Sequence, residues 1–226
     1  TNAEKFPPDA DFCLFLDKDV RLAYQLEKAG IPVYNSARSI ALCDDKALTA
    51  EALADSGLRT PITLAAPKTY VNIGYCNFEF LDRAEKMLSY PMIIKHRCGS
   101  FGAQVFLAQS REEAEKILNG CGGNEVILQQ FIAESCGRDL RINVVGGEVH
   151  GVMLRYNDHD FRSNITNGGQ MQRYMPEKSY LEAAIAAAEA VKADFAGVDV
   201  MFGKDGPVIC EVNASPHFKS TYQATG

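Results

Sequence analysis

Three side chains with metal-binding chemistry interrupt a segment that otherwise has the composition of a buried hairpin, GVDVMFGKDGPVICEVNASP at residues 197–216. Asp199 lies in the first apolar run, and Glu211 and Asn213 lie in the second. Because side chains alternate along a strand, Glu211 and Asn213 share one face, together with Ile209. Mg2+ takes oxygen ligands in proteins, usually one or two carboxylates combined with substrate phosphates. This set is therefore a candidate divalent-cation site.

The register of this hairpin decides whether the two carboxylates meet. A three-residue turn at 204–206, with its glycine at positive φ, would pair Gly203 with Pro207 and set Asp199 opposite Glu211. Directly opposed carboxylates repel each other, so this register needs a counter-charge, which a divalent cation supplies. A four-residue turn would shift the pairing by one and leave both acids on a solvated face. The hairpin alone is compatible with either reading.

A lysine and a glycine-rich turn form a second candidate site. Lys95 ends the apolar strand pattern PMIIK, and Gly99, Ser100 and Gly102 follow it. Free backbone N–H groups in such a turn can bind phosphate, and a lysine at the strand end can neutralise it. Many turns of this kind are plain hairpins. Neither GxxxxGK[ST] nor GxGxxG occurs in the chain, which excludes the P-loop and dinucleotide fingerprints.

Arginine is the sole strongly basic residue in the middle of the chain, where residues 117–177 contain five arginines and no lysine. A guanidinium group can bind a phosphate or a carboxylate at two points, which an ammonium group cannot do. The five are Arg138, Arg141, Arg155, Arg162 and Arg173. Arg155 and Arg162 flank a polar loop and are the candidates for anion contacts, whereas Arg138 and Arg173 are also compatible with a surface role.

The overall composition restricts the class of protein. A chain of 226 residues with 46% hydrophobic and 23% charged residues is typical of a globular protein. Its net charge of −6 argues against a broad nucleic-acid-binding surface. No apolar run has the length of a membrane span, and the seven cysteines include no CxxC pair. We therefore expect a cytoplasmic enzyme or binding protein with free thiols and without nucleic-acid or membrane partners.

The elements that must position these residues begin with a β-α-β unit at 11–35. A helix at 43–57 follows, with Asp44 or Asp45 near its N-cap, and a capping box of Ser110 and Glu113 begins a helix at 110–120. Helix and strand patterns alternate between these two helices. They predict a strand after residue 60, a helix at 77–89, and strands at 90–97 and 105–109.

From residue 125 the pattern is rich in strands. Gly146 and Gly147 form the turn of a predicted meander, and residues 157–170 read as a loop. Ser179 and Glu182 form a predicted capping box at the start of an alanine-rich helix, which leads into the hairpin. A composition change at 120–124 is the candidate boundary between two subdomains.

Lys46, Lys95, the GSFG turn and the motifs QQFI, GRDLR, DFRSN, GVDV and EVNASP occur together in this order. In this combination the chain resembles the ATP-grasp ligases, and more narrowly the RimK-type alpha-L-glutamate ligases, from about residue 36 onward. The resemblance implies an α+β ATP-grasp fold in which ATP lies between two subdomains. It divides the chain into a partial pre-ATP-grasp α/β segment (1–43), an N-terminal subdomain (44–124) and a C-terminal subdomain with the metal site (125–226).

The resemblance also implies roles for individual residues. Arg155 and Arg162 would be catalytic, facing the phosphoryl group and the acyl phosphate. Asp199, Glu211 and Asn213 would be ligands of Mg2+ or Mn2+, with two ions expected. The residues implied in ATP binding are Lys46, Lys95, Gly99, Ser100, Gly102, Gln130, Phe131, Ile132, Asp139, Ser163 and Asn164. The sequence departs from the family pattern at Gln130, where glutamate is frequent, and at His217, where glycine is common.

The implied activity is ATP-dependent formation of an amide bond between a carboxylate and an amine through an acyl phosphate. Glutamate or a similar amino acid would be joined to an acceptor, either a metabolite or a protein tail. Members of the family often assemble into dimers or tetramers, so a homo-oligomer is compatible with the resemblance. The alternatives are a non-catalytic nucleotide-binding regulatory module that keeps the ATP-grasp fold, and a structural α+β protein with an acidic hairpin.

Overall fold

The computed structural model describes residues 10–99 and 102–226. Within them the strands are β1 (Cys13–Leu14), β2 (Val33–Tyr34), β3 (Thr63–Ala65), β4 (Met92–His96), β5 (Val105–Ala108), β6 (Val126–Gln130), β7 (Arg138–Val145), β8 (Glu148–Tyr156), β9 (Gln170–Arg173), β10 (Phe195–Gly203) and β11 (Gly206–Asn213). The helices are α1 (Val20–Lys28), α2 (Ala37–Asp44), α3 (Lys46–Asp55), α4 (Glu79–Leu88), α5 (Arg111–Gly120), α6 (Lys178–Ala190) and α7 (Phe218–Thr225).

Two antiparallel sheets dominate the structure. The first sheet has the strand order β3-β6-β4-β5, and the second has the order β11-β10-β7-β8-β9. The short strands β1 and β2 pair in parallel in a third sheet. Mixed helices and mainly antiparallel sheets confirm the predicted α+β class. None of the described helices is both long and apolar enough to cross a membrane.

Strand alternation gives each large sheet one apolar and one polar face. In β4, Met92 and Ile94 are buried in the core with α4 and α5, while Lys95 points to the opposite face. In β10, Val198 and Val200 belong to the core that includes α6, while Asp199 points away from it. Burial of the apolar side chains therefore fixes the direction of the polar ones, because a slip by one residue would exchange the two faces.

The two cores differ in membership from the subdomains predicted by sequence. β6 pairs with β4 and β3, so it completes the first sheet although it follows residue 124. Leu53 of α3 is buried in the core of the second sheet, together with Phe15 and Ile40 from the N-terminal segment. The limits at residues 43 and 124 stay predictions as domain boundaries, while the elements on either side of them are shared between the two packing units.

The β10-β11 hairpin pairs Asp199 with Glu211 as predicted, but the predicted three-residue turn and the predicted pairing of Gly203 with Pro207 were wrong. Gly203 pairs with Gly206, so the turn has two residues, but an irregularity after Asp199 restores the pairing of Asp199 with Glu211. The additional residue on β11 is Cys210, since Val200 pairs with Ile209. This β-bulge turns Ile209 into the apolar core, away from the face of Glu211, which corrects its predicted position. Burial of a large aliphatic side chain accounts for the irregular register.

Other sequence-based boundaries differ in local detail. The predicted helix at 43–57 corresponds to α3, which begins after Asp45 because the Asp45 side chain caps it through the N–H groups of Ala47 and Leu48. Residues 43 and 44 instead end α2, which was not predicted. Ser110 caps α5 as predicted. Ser179 instead lies inside α6, which begins at Lys178 without a side-chain cap, so that capping box was wrong. The short β9 and the terminal α7 were not predicted.

A buried asparagine connects the N-terminal segment to the second sheet. The Asn35 side chain is fully buried and donates two hydrogen bonds of 2.7 Å, to the carbonyl oxygens of Phe195 and Ala214. Its oxygen accepts from the backbone N–H groups of Asp194 and Phe195. One carboxamide thus satisfies backbone groups at the beginning of β10 and just after β11, on the strands that carry the acidic residues.

We expect Asn35→Ala to lower the free energy of unfolding by about 2–4 kcal/mol, because the substitution leaves several buried backbone groups without partners. Chemical denaturation monitored by circular dichroism measures the loss. The matched control is Asn77→Ala, which removes one hydrogen bond to an exposed backbone N–H group and should cost less than about 1 kcal/mol. Equal losses in the two variants would contradict the role of Asn35.

Candidate active site

A cleft of about 750 Å³ lies between the polar faces of the two large sheets. Its lining includes every predicted site residue that the structure describes, whereas Ser100 lies outside the described residues. These lining residues are Lys46, Lys95, Gly99, Gly102, Gln130, Phe131, Ile132, Asp139, Arg155, Arg162, Ser163, Asn164, Asp199, Glu211 and Asn213. The sequence therefore located the cleft, and the role of each residue stays a prediction.

Two lysines bring positive charge to the cleft. Lys95 is only 4% exposed, and within the described part of the chain it has no hydrogen-bond or ion-pair partner. Lys46, at the start of α3, donates a 2.7 Å hydrogen bond to the carbonyl oxygen of Gly99, and its Nζ lies 3.9 Å from Oε1 of Glu211. A buried ammonium without a carboxylate partner is costly, and an anion bound beside Lys95 in the cleft would offset this cost.

Arg97 fixes the position of Lys46 relative to β4. Its side chain binds Asp45, with Nε 2.7 Å from Oδ2, and Glu125, with Nη1 2.7 Å from Oε2. Its carbonyl oxygen accepts from the backbone N–H of Lys46 at 2.9 Å. Burial opposes ionisation of Asp45, but the hydrogen bonds and charge of Arg97 and the helix N–H groups outweigh it and lower the pKa. The N-cap of α3 is therefore connected to the end of β4.

The glycine-rich turn contacts the polar loop that follows β8. Gly102 has a φ of +69°, which strains any other residue, and a Cβ there would lie 2.5 Å from Oδ1 of Asn164, so the Asn164 side chain would have to shift. Arg162 donates from Nη1 to the carbonyl oxygen of Gly102 at 3.0 Å. Asp160 holds the same guanidinium group at 2.7 Å. Two segments that are 60 residues apart in the sequence thus form one wall of the cleft.

The residues that the resemblance assigns to adenine binding lie at the end of β6 and just after it. The side-chain oxygen of Gln130 accepts a hydrogen bond from the backbone N–H of Ile62 at 3.3 Å, while the backbone N–H of Gln130 donates to the carbonyl oxygen of Ile62. The side-chain oxygen thus has a partner in the residue just before β3. Phe131 and Ile132 follow the end of β6 and line the cleft. This placement is compatible with the predicted backbone contacts to a base.

Four charged residues form a buried ion cluster on the polar face of the second sheet. Arg155 binds Asp139 at two points, 2.7 Å and 2.6 Å, and also lies 3.0 Å from Oδ2 of Asp199. Arg141 binds both oxygens of Asp199, with Nη2 3.0 Å from Oδ2. Burial alone would raise the pKa of Asp199, but the two guanidinium groups outweigh it and hold the pKa below its usual value.

Arg141 is the main residue of this site to which the sequence analysis assigned no role. It stands two positions after Asp139 in β7, and it is the direct cross-strand partner of Asp199 on β10. The signal was present, because Asp139 and Arg141 share a face in the quoted motif GRDLR. Lys18, in the segment before α1, also lines the cleft and binds Asp44 at 2.7 Å.

The predicted metal ligands offer hard oxygen donors. Within the described ranges, no three His, Cys, Asp or Glu side chains lie close enough together to hold a metal ion. The predicted set has only two carboxylates, and its third member is the carboxamide of Asn213. Asn213 donates from Nδ2 to the carbonyl oxygen of Gly197 at 3.2 Å, and its oxygen stays available. These donors fit Mg2+ or Mn2+ that also binds substrate phosphates. The counter-charge on Asp199 comes from two arginines, so repulsion between the carboxylates does not by itself require a cation.

Known proteins resemble this chain over most of its length. A family model for the RimK-like ATP-grasp domain matches residues 43–226. A probable alpha-L-glutamate ligase of Parasynechococcus marenigrum is 35% identical over 207 residues, which are 89% of this chain and 42% of the relative. A ribosomal protein bS6–L-glutamate ligase of Escherichia fergusonii is 32% identical over 205 residues, which are 89% of this chain and 66% of the relative. The chain thus spans less than two thirds of either relative.

Solved structures agree with this match. The D-alanine–D-alanine ligase from Bacillus anthracis complexed with ATP superposes with a TM-score of 0.73 and 22% identity, over 92% of this chain and 68% of that chain. A RimK domain ATP-grasp protein from Sphaerobacter thermophilus gives 0.70 and 23%, over 92% and 72%. At these identities the likeness confirms the ATP-grasp fold. Together with the family model, it establishes that the chain belongs to the RimK-like ATP-grasp family.

Proposed function

We propose that the chain carries the catalytic site of an ATP-dependent ligase that joins a carboxylate to the amine of an amino acid. The observation that carries this proposal is the cleft itself, in which buried Lys95 faces an arginine–carboxylate cluster across the two sheets. A module that only binds nucleotide needs basic side chains to contact the phosphates, but it does not need Arg155 buried beside potential metal ligands. The names of the two curated ligases support the same activity.

The proposed reaction proceeds in two steps. A carboxylate oxygen attacks the γ-phosphorus of ATP, which forms an acyl phosphate and releases ADP. The amine then attacks the acyl carbon, phosphate leaves with the bonding electron pair, and the amine loses a proton as the amide forms. Lys46, Lys95 and Arg162 would orient the phosphates, and Arg155 would stabilise the charge on the transferred phosphoryl group. None of these steps requires a covalent bond to the protein.

Asp199, Glu211 and Asn213 would hold Mg2+ or Mn2+, with two ions proposed, and the cations would neutralise phosphate oxygens. Cys210 is compatible with a structural role, because burial raises the pKa of its thiol to about 11 and keeps it protonated. The bottom of the cleft therefore offers charge stabilisation rather than a nucleophile.

The substrate pair follows from the charge of the cleft and from the relatives. We propose glutamate or a similar acidic amino acid as one substrate, because Lys219 and several arginines line the cleft and would attract a second carboxylate. A protein or peptide tail is one proposed acceptor, since one relative is named for ribosomal protein bS6. A small metabolite is the other, and a homo-oligomer and a cytoplasmic location are part of the same proposal.

The decisive experiment measures ADP release with Mg2+ across a panel of amino acids and candidate acceptors, followed by mass analysis of the product. A mass increase equal to one amino acid less water, dependent on ATP, is the expected result. Nucleotide binding without turnover under every condition would instead identify a regulatory module. Absence of ATP binding would refute both readings.

We expect Glu211→Gln to reduce metal-dependent ADP release by at least about 100-fold, the effect of losing one electrostatic contact to a transition state. The fold should be retained, because the only ion pair of Glu211 in the described chain is the 3.9 Å contact with Lys46. Glu148→Gln, at an exposed position in β8, is the matched control and should keep full activity. Retained turnover in a double variant with Asp199→Asn would remove the metal site from the mechanism.

We expect Lys95→Met to weaken ATP binding by about 10- to 100-fold, because a charge-assisted contact to phosphate is lost while the apolar stem is kept. Isothermal titration calorimetry with ATP and Mg2+ measures the change. Lys116→Met, on the exposed side of α5, controls for the loss of one positive charge and should leave the affinity unchanged. Unchanged affinity in the Lys95 variant would exclude this lysine from the ATP site.

A further inference from the structure

We propose that Arg141 competes with the divalent cation for Asp199, so that the site binds the cation strongly only when Arg141 has moved to an anionic ligand. The inference rests on the proposed function, because it takes Asp199 as a cation ligand. It assigns Arg141 a coupling role, in which occupation of the cleft by an anion and occupation by a cation assist each other.

Both oxygens of Asp199 already have partners. Oδ1 accepts a hydrogen bond from Nε of Arg141, and Oδ2 accepts one from Nη2 of Arg141 at 3.0 Å. Oδ2 also forms an ion pair with Nη2 of Arg155 at 3.0 Å. A carboxylate has about four acceptor positions, so Arg141 uses two of them and Arg155 lies beside the same oxygen. A cation that approaches Asp199 therefore meets two guanidinium groups on the same carboxylate.

The two arginines differ in how firmly they are held. Arg155 is bound at two points by Asp139 and would keep that partner if Asp199 were taken by a cation. Asp199 is the only ion-pair partner of Arg141 among residues 10–99 and 102–226. Arg141 is therefore the residue that can transfer its hydrogen bonds to another anion.

The backbone leaves room for Arg141 beside the cleft. A Cβ at Gly197 would lie 3.0 Å from Nη1 and 3.1 Å from Cδ of Arg141, so the guanidinium group passes over this glycine. Both Arg141 and Asp199 line the cleft. The guanidinium group therefore lies at the cleft, on the side where an anion bound there would meet it.

Charge decides the sign of the effect. A fixed carboxylate orientation can improve metal affinity by about 10- to 100-fold. A guanidinium group hydrogen-bonded to the same carboxylate repels a dication at a few ångströms, and in a poorly solvated cleft this repulsion is the larger effect. When the cation binds without an anion, repulsion by Arg141 therefore lowers its affinity more than the fixed orientation of Asp199 raises it. A phosphate or carboxylate anion that accepts the hydrogen bonds of Arg141 removes the competition.

The test is a titration with Mn2+ alone, in which electron paramagnetic resonance measures the free ion. We expect Arg141→Gln to bind Mn2+ about 10-fold more tightly than the unchanged protein. Arg141→Lys, which keeps the charge, should stay within about threefold of it. Arg173→Gln, at an exposed position on β9, is the matched control and should have no effect.

Unchanged or weaker Mn2+ binding by Arg141→Gln would overturn the proposal, because Arg141 would then orient Asp199 or be irrelevant to it. Absence of Mn2+ binding in every protein would overturn it as well. Should Arg141→Gln fail to fold, the unchanged protein still provides a test. Sulfate should tighten its Mn2+ binding relative to chloride at equal ionic strength, and no change would contradict the coupling. ADP release tests the proposed function separately, so the two failures are distinguishable.

Discussion

The cleft depends on a carboxylate that is buried and shared by two arginines. Removing Asp199 from water is costly, and the structure offsets this cost with guanidinium groups from two neighbouring strands. Breaking one partner would leave an uncompensated charge in the sheet, so the cluster constrains β7, β8 and β10 together. The same charges line the cleft in which the proposed ATP and cation sites lie.

The second sheet has a polar face because the apolar side chains of its core are buried on the opposite face. Leu140, Ile142, Val198 and Val200 are all essentially inaccessible to solvent and pack in one core with α6. Strand alternation then directs the intervening side chains into the cleft. A bulge at Cys210 keeps this arrangement on β11, since it lets Ile209 reach the core while Glu211 still faces Asp199. The packing of the core thus fixes the register on which the chemistry depends.

Most of the cleft was predicted through the resemblance to the ATP-grasp ligases, whereas local alternation and glycine signals by themselves indicated only the acidic hairpin and the glycine turn after Lys95. The sequence identified the pairing of Asp199 with Glu211 but not the bulge, since an extra residue leaves no mark in a strand pattern. It also missed α2 and α7, and it assigned no role to Arg141, whose importance depends on the strand placed beside it. Packing partners distant in the sequence decide such features, as the burial of Leu53 with the second sheet shows.

Lys46 is connected to both packing units. Lys46 lies at the start of α3, and α3 packs against the second sheet. Asp45, the N-cap residue of α3, is bound to Arg97, which follows β4 of the first sheet. The ammonium group of Lys46 therefore reaches both Gly99 and Glu211 from an anchor that is common to both sheets. A phosphate bound by this lysine would therefore lie near Gly99 and near Glu211 of the β10-β11 hairpin at the same time. The geometry of the reacting groups is then set by the junction of the two units and not by either unit alone.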